Sequence, residues 1–135
     1  MNQHLSAGAV LFNKTKDKVF LIYKKERNEW LLPKGHKEEN GKLIDTAIRE
    51  VKEETGYQNL EIINSKPINI IEFDFELKKE PNHKIVYYFC FKLKDNKRSD
   101  NSEEGGNCFS TQEAIKKVKY DNEKETIKKA VDLLN

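Results

Sequence analysis

The chain has 135 residues, a length suited to one compact domain that buries a core without disulfide or metal staples. Its 25 basic and 23 acidic side chains nearly cancel and are interspersed, which excludes the basic stripe of a dedicated nucleic-acid binder. Hydrophobic and charged residues each make up 36%, and no apolar run approaches the length that spans a bilayer.

The N-terminal Met1-Asn2-Gln3-His4-Leu5-Ser6 lacks the basic-then-apolar design of a secretion leader. Cys90 and Cys108 form neither a metal-ligand spacing nor a disulfide framework, so a reducing cytoplasm is the expected compartment. Residues 5–13 and 19–24 are β-prone runs separated by Lys14-Thr15-Lys16-Asp17-Lys18, which predicts a hairpin. Trp30-Leu31-Leu32 reads as a short extended piece stopped by Pro33 and released into a loop by Gly35. From Lys42 to Thr55 the period becomes helical, with Leu43, Ile44, Ala47, Ile48 and Val51 on one face and Gly56 ending the helix.

Ile71, Phe73, Phe75 and Leu77 alternate with Glu72, Asp74 and Glu76, the pattern of a strand with one wet face. Pro81-Asn82 is expected to turn the chain into Ile85–Phe91, an uninterrupted apolar run suited to a central strand, with Cys90 as a small core residue. Residues 94–107 are polar and rich in Gly, Asn and Ser, and read as a loop. Thr111 is expected to cap a short helix over 112–118. Ile127, Ala130, Val131 and Leu134 predict a terminal amphipathic helix. With no repeat or linker, the whole chain, 1–135, is expected to form one α/β domain.

Chemistry concentrates on the first helix. Glu50, Glu53 and Glu54 sit at i, i+3 and i+4, where like charges oppose one another by a few tenths of a kcal/mol per pair, about 0.2–0.5. They also crowd the last turn, where the helix dipole disfavours anions. A bound divalent cation would reverse both penalties, and three carboxylates suit a hard ion such as Mg²⁺ or Mn²⁺. A solvated acidic face neutralised by Arg49 and Lys52 is the plainer reading of those three residues alone.

The wider context decides between them. From Gly35 to Tyr57 the sequence resembles the Nudix box: Gly, five residues, Glu, seven residues, Arg-Glu, an apolar residue, any residue, Glu-Glu, any residue, Gly, apolar. Gly35, Arg49, Glu50, Val51, Glu53, Glu54, Gly56 and Tyr57 match in register, while Gly41 stands where the box has its first Glu, with Glu38 and Glu39 nearby. The resemblance implies a Nudix-type α/β/α sandwich with a mixed β-sheet, and Mg²⁺-dependent cleavage of a phosphoanhydride in a nucleoside-diphosphate-linked substrate. It implies metal ligation by Glu50, Glu53 and Glu54, a general base at Glu50, Glu53 or an acid outside the box, and a positioning role for Arg49. The substitution at Gly41 puts the full activity of the box in question.

Lys34-Gly35-His36, within Trp30–His36, resembles the Leu-Pro-Lys-Gly-His segment of Nudix enzymes that act on dinucleoside polyphosphates such as diadenosine tetra- and hexaphosphate. Lys34 and His36 are then expected to meet a polyphosphate chain. In the same comparison, Lys84 and Tyr88 fall on a strand beginning with a basic pair, and Tyr120 is a candidate to stack on adenine or ribose. Trp30 is expected to pack at a sheet edge. Glu103 or Glu104 is a candidate for an additional catalytic or metal-binding acid. Rival substrates are a triphosphorylated RNA 5′ end and nucleoside triphosphates, and a different class of reading is a non-catalytic nucleotide sensor. The partner is a small nucleotide polyphosphate rather than a membrane, and the protein is a monomer or a homodimer.

Overall fold

A computed structural model describes residues 2–99 and 105–135. In chain order the elements are β1 (Asn2–Phe12), β2 (Lys18–Lys24), β3 (Glu29–Leu31), β4 (Lys34–His36), α1 (Leu43–Thr55), β5 (Leu60–Leu77), β6 (Glu80–Leu93), β7 (Gly105–Ser110), α2 (Thr111–Lys117) and α3 (Asp121–Leu134). The central sheet runs β3-β2-β1-β6-β5, with β4 paired to β1 and β7 paired to β2. Strands β1 and β6 are parallel and the other pairs antiparallel, so the sheet is mixed.

Alternation along β1 builds a core on each face. Ala7, Ala9 and Leu11 join Phe89, Phe91 and the Ala47 and Val51 face of α1. Val10 and Phe12 join Val86, Tyr88, Cys90 and the Ala114, Ile127 and Ala130 faces of α2 and α3. Helices thus cover both faces of the sheet in an α/β/α sandwich, and β6 is the covered central strand that its apolar run predicts. The α1 helix ends as expected, with Gly56 in the left-handed region at φ 83° and its N–H donating to the Lys52 carbonyl.

Four expectations need correction. The hairpin of β1 and β2 is brief, holding only the pairs Leu11↔Phe20 and Phe12↔Val19, because Ile22, Tyr23 and Lys24 of β2 pair with β3 instead. Lys78 and Lys79, not Pro81 and Asn82, turn the chain between β5 and β6; both have positive φ, 51° and 66°, and Leu77 pairs with Glu80. Pro81 sits inside β6, where its missing N–H is tolerated because pairing to β1 begins only at Asn82. The Gly-rich stretch 105–107 is strand rather than loop. A Cβ on Gly106 would lie 2.6 Å from both the Leu21 carbonyl oxygen and the Phe20 ring, so glycine here permits close pairing of β7 to β2. Finally, the cap of α2 is Ser110, whose hydroxyl accepts the Glu113 N–H at 3.2 Å, one residue before Thr111.

Candidate active site

Strand β4 lies beside the acidic edge of α1, and the two meet through specific contacts. The Lys34 N–H donates to Glu54 Oε1 at 2.8 Å. A Cβ on Gly35 would overlap the Glu50 carboxylate, so the absence of a side chain there lets that carboxylate rest on the β4 backbone. Exposure rises from 5% at Glu54 through 12% at Glu50 to 40% at Glu53, which leaves Glu53 the carboxylate with most room to move. Arg49 Nη1 stands 3.4 Å from Glu50 and 3.3 Å from Glu53, and Nη2 donates to the His36 carbonyl at 3.1 Å. Burial opposes its charge, but the Glu53 hydrogen bond and the charges of Glu50, Glu53 and Glu38 outweigh it and raise its pKa.

A cleft of about 500 Å³ opens next to this edge. One part of its wall is apolar, from Ile22, Leu31, Leu32, Ile71 and Phe73, with Tyr120 at 41% exposure beside them. Lys24, Arg27, Lys34 and Lys84 bring four cations to the same cleft, against the carboxylates of Glu54 and Glu123. The crowding is severe enough to perturb Lys84. Its burial, and then the charges of Lys34, Lys24 and Arg27, lower its pKa to about 8. Shielding of the His36 ring, with Lys84 and His4 beside it, lowers the imidazole pKa as well and so disfavours its charged form.

The NUDIX domain family matches residues 2–131 of this chain. The chain belongs to the Nudix family. It is 40% identical over 83 residues to a Lactococcus lactis subsp. cremoris protein described as a probable DHNTP pyrophosphohydrolase, covering 61% of this chain and 49% of that one. Over 57 residues it is 37% identical to the mRNA-decapping enzyme subunit 2 of Saccharomyces cerevisiae, covering 42% of this chain and 6% of that one. The chain therefore spans about half the length of the first relative and a small part of the second. In structure it resembles a C. elegans Ap4A hydrolase, with a TM-score of 0.73 at 22% identity over 100% of both chains. It also resembles the E. coli dihydroneopterin triphosphate pyrophosphohydrolase, with a TM-score of 0.77 at 17% identity over 98% and 99% of the two chains. At these identities the likeness is one of fold.

Nudix hydrolases generally use divalent cations, and the residues here fit one by donor chemistry. Glu50 and Glu54 are hard oxygen donors fixed against β4 on a rigid helix, with Glu53 one turn from Glu50. They do not converge: among the described residues no three His, Cys, Asp or Glu side chains form a ready-made cage. Arg49 stands between Glu50 and Glu53, and the Lys34 amide holds Glu54. At the Gly41 departure from the Nudix box, Glu38 supplies negative charge to Arg49.

Of the residues singled out from sequence, Lys34, Gly35, His36, Glu54, Lys84 and Tyr120 line one cleft, with Glu50 adjoining it at Gly35. Tyr88 is a correction. Its side chain is fully buried in the core, because its position on β6 turns it toward α3, and it is not on the cleft wall. Trp30 packs on Tyr23 and Phe109 at the sheet edge, as expected. Glu103 and Glu104 lie outside the described residues. Sequence reading did not single out Lys24, Arg27 or Glu123. Their only local signal is a charge next to apolar strand residues or, for Glu123, an acid in the first turn of a helix.

Proposed function

We propose that this Nudix protein hydrolyses a phosphoanhydride bond in a polyphosphate chain carried by a heterocyclic head group, with a divalent cation bound by Glu50, Glu53 and Glu54. The observation that carries this reading is the meeting, in one cleft, of four cations with the acidic edge of a helix. Lys34, Lys24 and Arg27 lie close enough to Lys84 to lower its pKa, a clustering of positive charge that suits a polyanion. The apolar wall beside Tyr120 suits a planar ring. When bound, the cation would supply charge neutralisation on the phosphates and a template for attack at phosphorus.

The chain's own groups divide the remaining work. Lys34 and Lys84 hold the phosphates as point charges. Arg49 keeps Glu50 and Glu53 in place by ion pairing and ties them to β4 through the His36 carbonyl. Glu53, the most exposed carboxylate, is the group best able to take a proton from an attacking water. His36, whose charged form is disfavoured, offers the substrate a hydrogen bond.

The Trp30–His36 segment supports a dinucleoside polyphosphate as substrate, cleaved asymmetrically to a nucleoside triphosphate and a smaller nucleotide. A second reading, a single-headed triphosphate, is supported by the one apolar wall of the cleft and by the 40% identity to the L. lactis protein. The test is product analysis by ion-exchange chromatography. Diadenosine tetraphosphate, diadenosine hexaphosphate, GTP, dihydroneopterin triphosphate and triphosphorylated RNA are each incubated with and without Mg²⁺, alongside Glu53→Gln. Magnesium-dependent cleavage that falls by roughly 10²–10⁴-fold in the variant is expected. Binding without turnover of any of the five would replace the enzyme reading with a nucleotide sensor.

A further inference from the structure

Glu123 is a carboxylate with only one of its two oxygens engaged. It lies in the first turn of α3, is 1% exposed, and still forms part of the cleft wall. One oxygen, Oε2, accepts the Leu32 N–H at 2.8 Å and so ties α3 to the segment between β3 and β4. The other, Oε1, is buried and has no hydrogen-bond partner. A structural tie accounts for the first oxygen only. Leaving an acceptor of this kind desolvated and unpaired costs about 1–3 kcal/mol, more when charged, and native proteins rarely carry one without use. In the core, off the cleft wall, Tyr88 Oη is likewise buried and without a hydrogen-bond partner, and feels the charges of Glu123 and Glu54.

We infer that Glu123 is a specificity-determining residue that reads the head group, and that it selects a ring whose edge carries a ring N–H beside an exocyclic amino group. This rests on the polyphosphate-hydrolase reading above and narrows its substrate class. A carboxylate is acceptor-only, so it rewards adjacent donors and penalises a ring edge that offers a lone pair. The 2-amino-4-oxopyrimidine edge, shared by guanine and by pterins, presents two donors side by side. Adenine presents one amino donor next to an unprotonated ring nitrogen, whose lone pair would face the carboxylate. Hypoxanthine keeps the ring N–H and lacks the amino group. Burial raises the Glu123 pKa and the Glu29 charge adds to that rise, while Lys34, the Leu32 N–H and Arg27 offset it in part. The same Lys34 and Arg27 belong to the cationic group, so ring and phosphate chain would lie in one continuous cleft.

The experiment separates the head group from the chemistry by measuring binding rather than turnover. GTP, ITP, ATP and 7,8-dihydroneopterin triphosphate are titrated into the protein in EDTA, with inorganic tripolyphosphate as a probe of the cations alone. GTP or the pterin is expected to bind at least about tenfold tighter than ITP and ATP, and the tighter of the two identifies the source of the shared edge. In Glu123→Gln the Leu32 N–H keeps the amide oxygen and turns the NH₂ toward the cleft. The GTP/ITP ratio is then expected to fall to within twofold while tripolyphosphate affinity is unchanged. The wild-type series is decisive even if the variant is unstable. Equal binding of GTP, ITP and ATP, a preference for ATP, or an unaltered GTP/ITP ratio in a folded Glu123→Gln overturns the inference and leaves the hydrolase reading intact. Failure of tripolyphosphate and of every nucleotide to bind removes both.

Discussion

Two residues define how tightly the site is set. Gly35 has no side chain where the Glu50 carboxylate sits, and the atoms a Cβ would meet are at the end of a flexible side chain. Gly35→Ala is therefore expected to displace Glu50 rather than the backbone. Turnover should drop by about a hundredfold, the scale of a 1 Å misplacement, with the urea midpoint nearly unchanged. A matching loss of stability would show that the glycine serves packing instead. Lys84, with its pKa at about 8 against a usual 10.5, gives opposite signs for binding and folding. Polyphosphate restores its proton, so ligand affinity is expected to fall as pH rises through 8, with proton uptake visible by calorimetry in buffers of different ionisation enthalpy. The unfolded chain holds that proton up to pH 10.5, so stability of the free protein should rise between pH 8 and 10.5 from this group. Absence of proton uptake at pH 8.5 would take Lys84 off the phosphate path.

Elements carry a second kind of constraint, seen at the tip of the β5–β6 hairpin. Lys78 and Lys79 occupy positive φ with no glycine to ease it, the conformation of a two-residue turn that favours Asn-Gly. Replacing them with Asn-Gly is expected to stabilise the protein by roughly 1 kcal/mol, read as a shift in the urea midpoint. No gain would mean that the strands, not the turn, set the register. This turn also marks where sequence reading reached its limit. Helix α1 was legible because its apolar spacing, its acidic edge and Gly56 all act within a few residues of one another. The turn was misplaced because Pro81 is a strong local signal, and its harmlessness depends on where β1 stops pairing. Gly105–Asn107 looked like loop for the same reason: what makes it strand is the Phe20 ring and the Leu21 carbonyl, more than eighty positions away. Within the cleft, Gly35 and Glu54 were legible through the Nudix box, and Lys34 through the Trp30–His36 segment. Lys24, Arg27 and Glu123 join them only by the folding of β2 and α3 around β4. Tyr88 was misread because an uninterrupted apolar and aromatic run does not say which of its residues face the cleft.

At the scale of the whole molecule, the sheet is joined by partners far apart in sequence. Every pair between β1 and β6 joins residues eighty positions apart, from Asn2↔Asn82 to Phe12↔Lys92. Non-local pairing of this kind must meet its loop-closure entropy before contacts repay it. Refolding from urea is therefore expected in the millisecond-to-second range by stopped-flow fluorescence of Trp30, and a complete microsecond phase would contradict this account. The same arithmetic applies on the ribosome. Synthesis at about 5–20 residues per second separates the emergence of Ala7–Phe12 from that of its parallel partner by roughly 4–16 s. Throughout that interval the nascent chain carries an apolar strand with one edge unpaired, so chaperone holdases have their best target at the N-terminal end. A chain whose synthesis stops before β6 remains such a target for good.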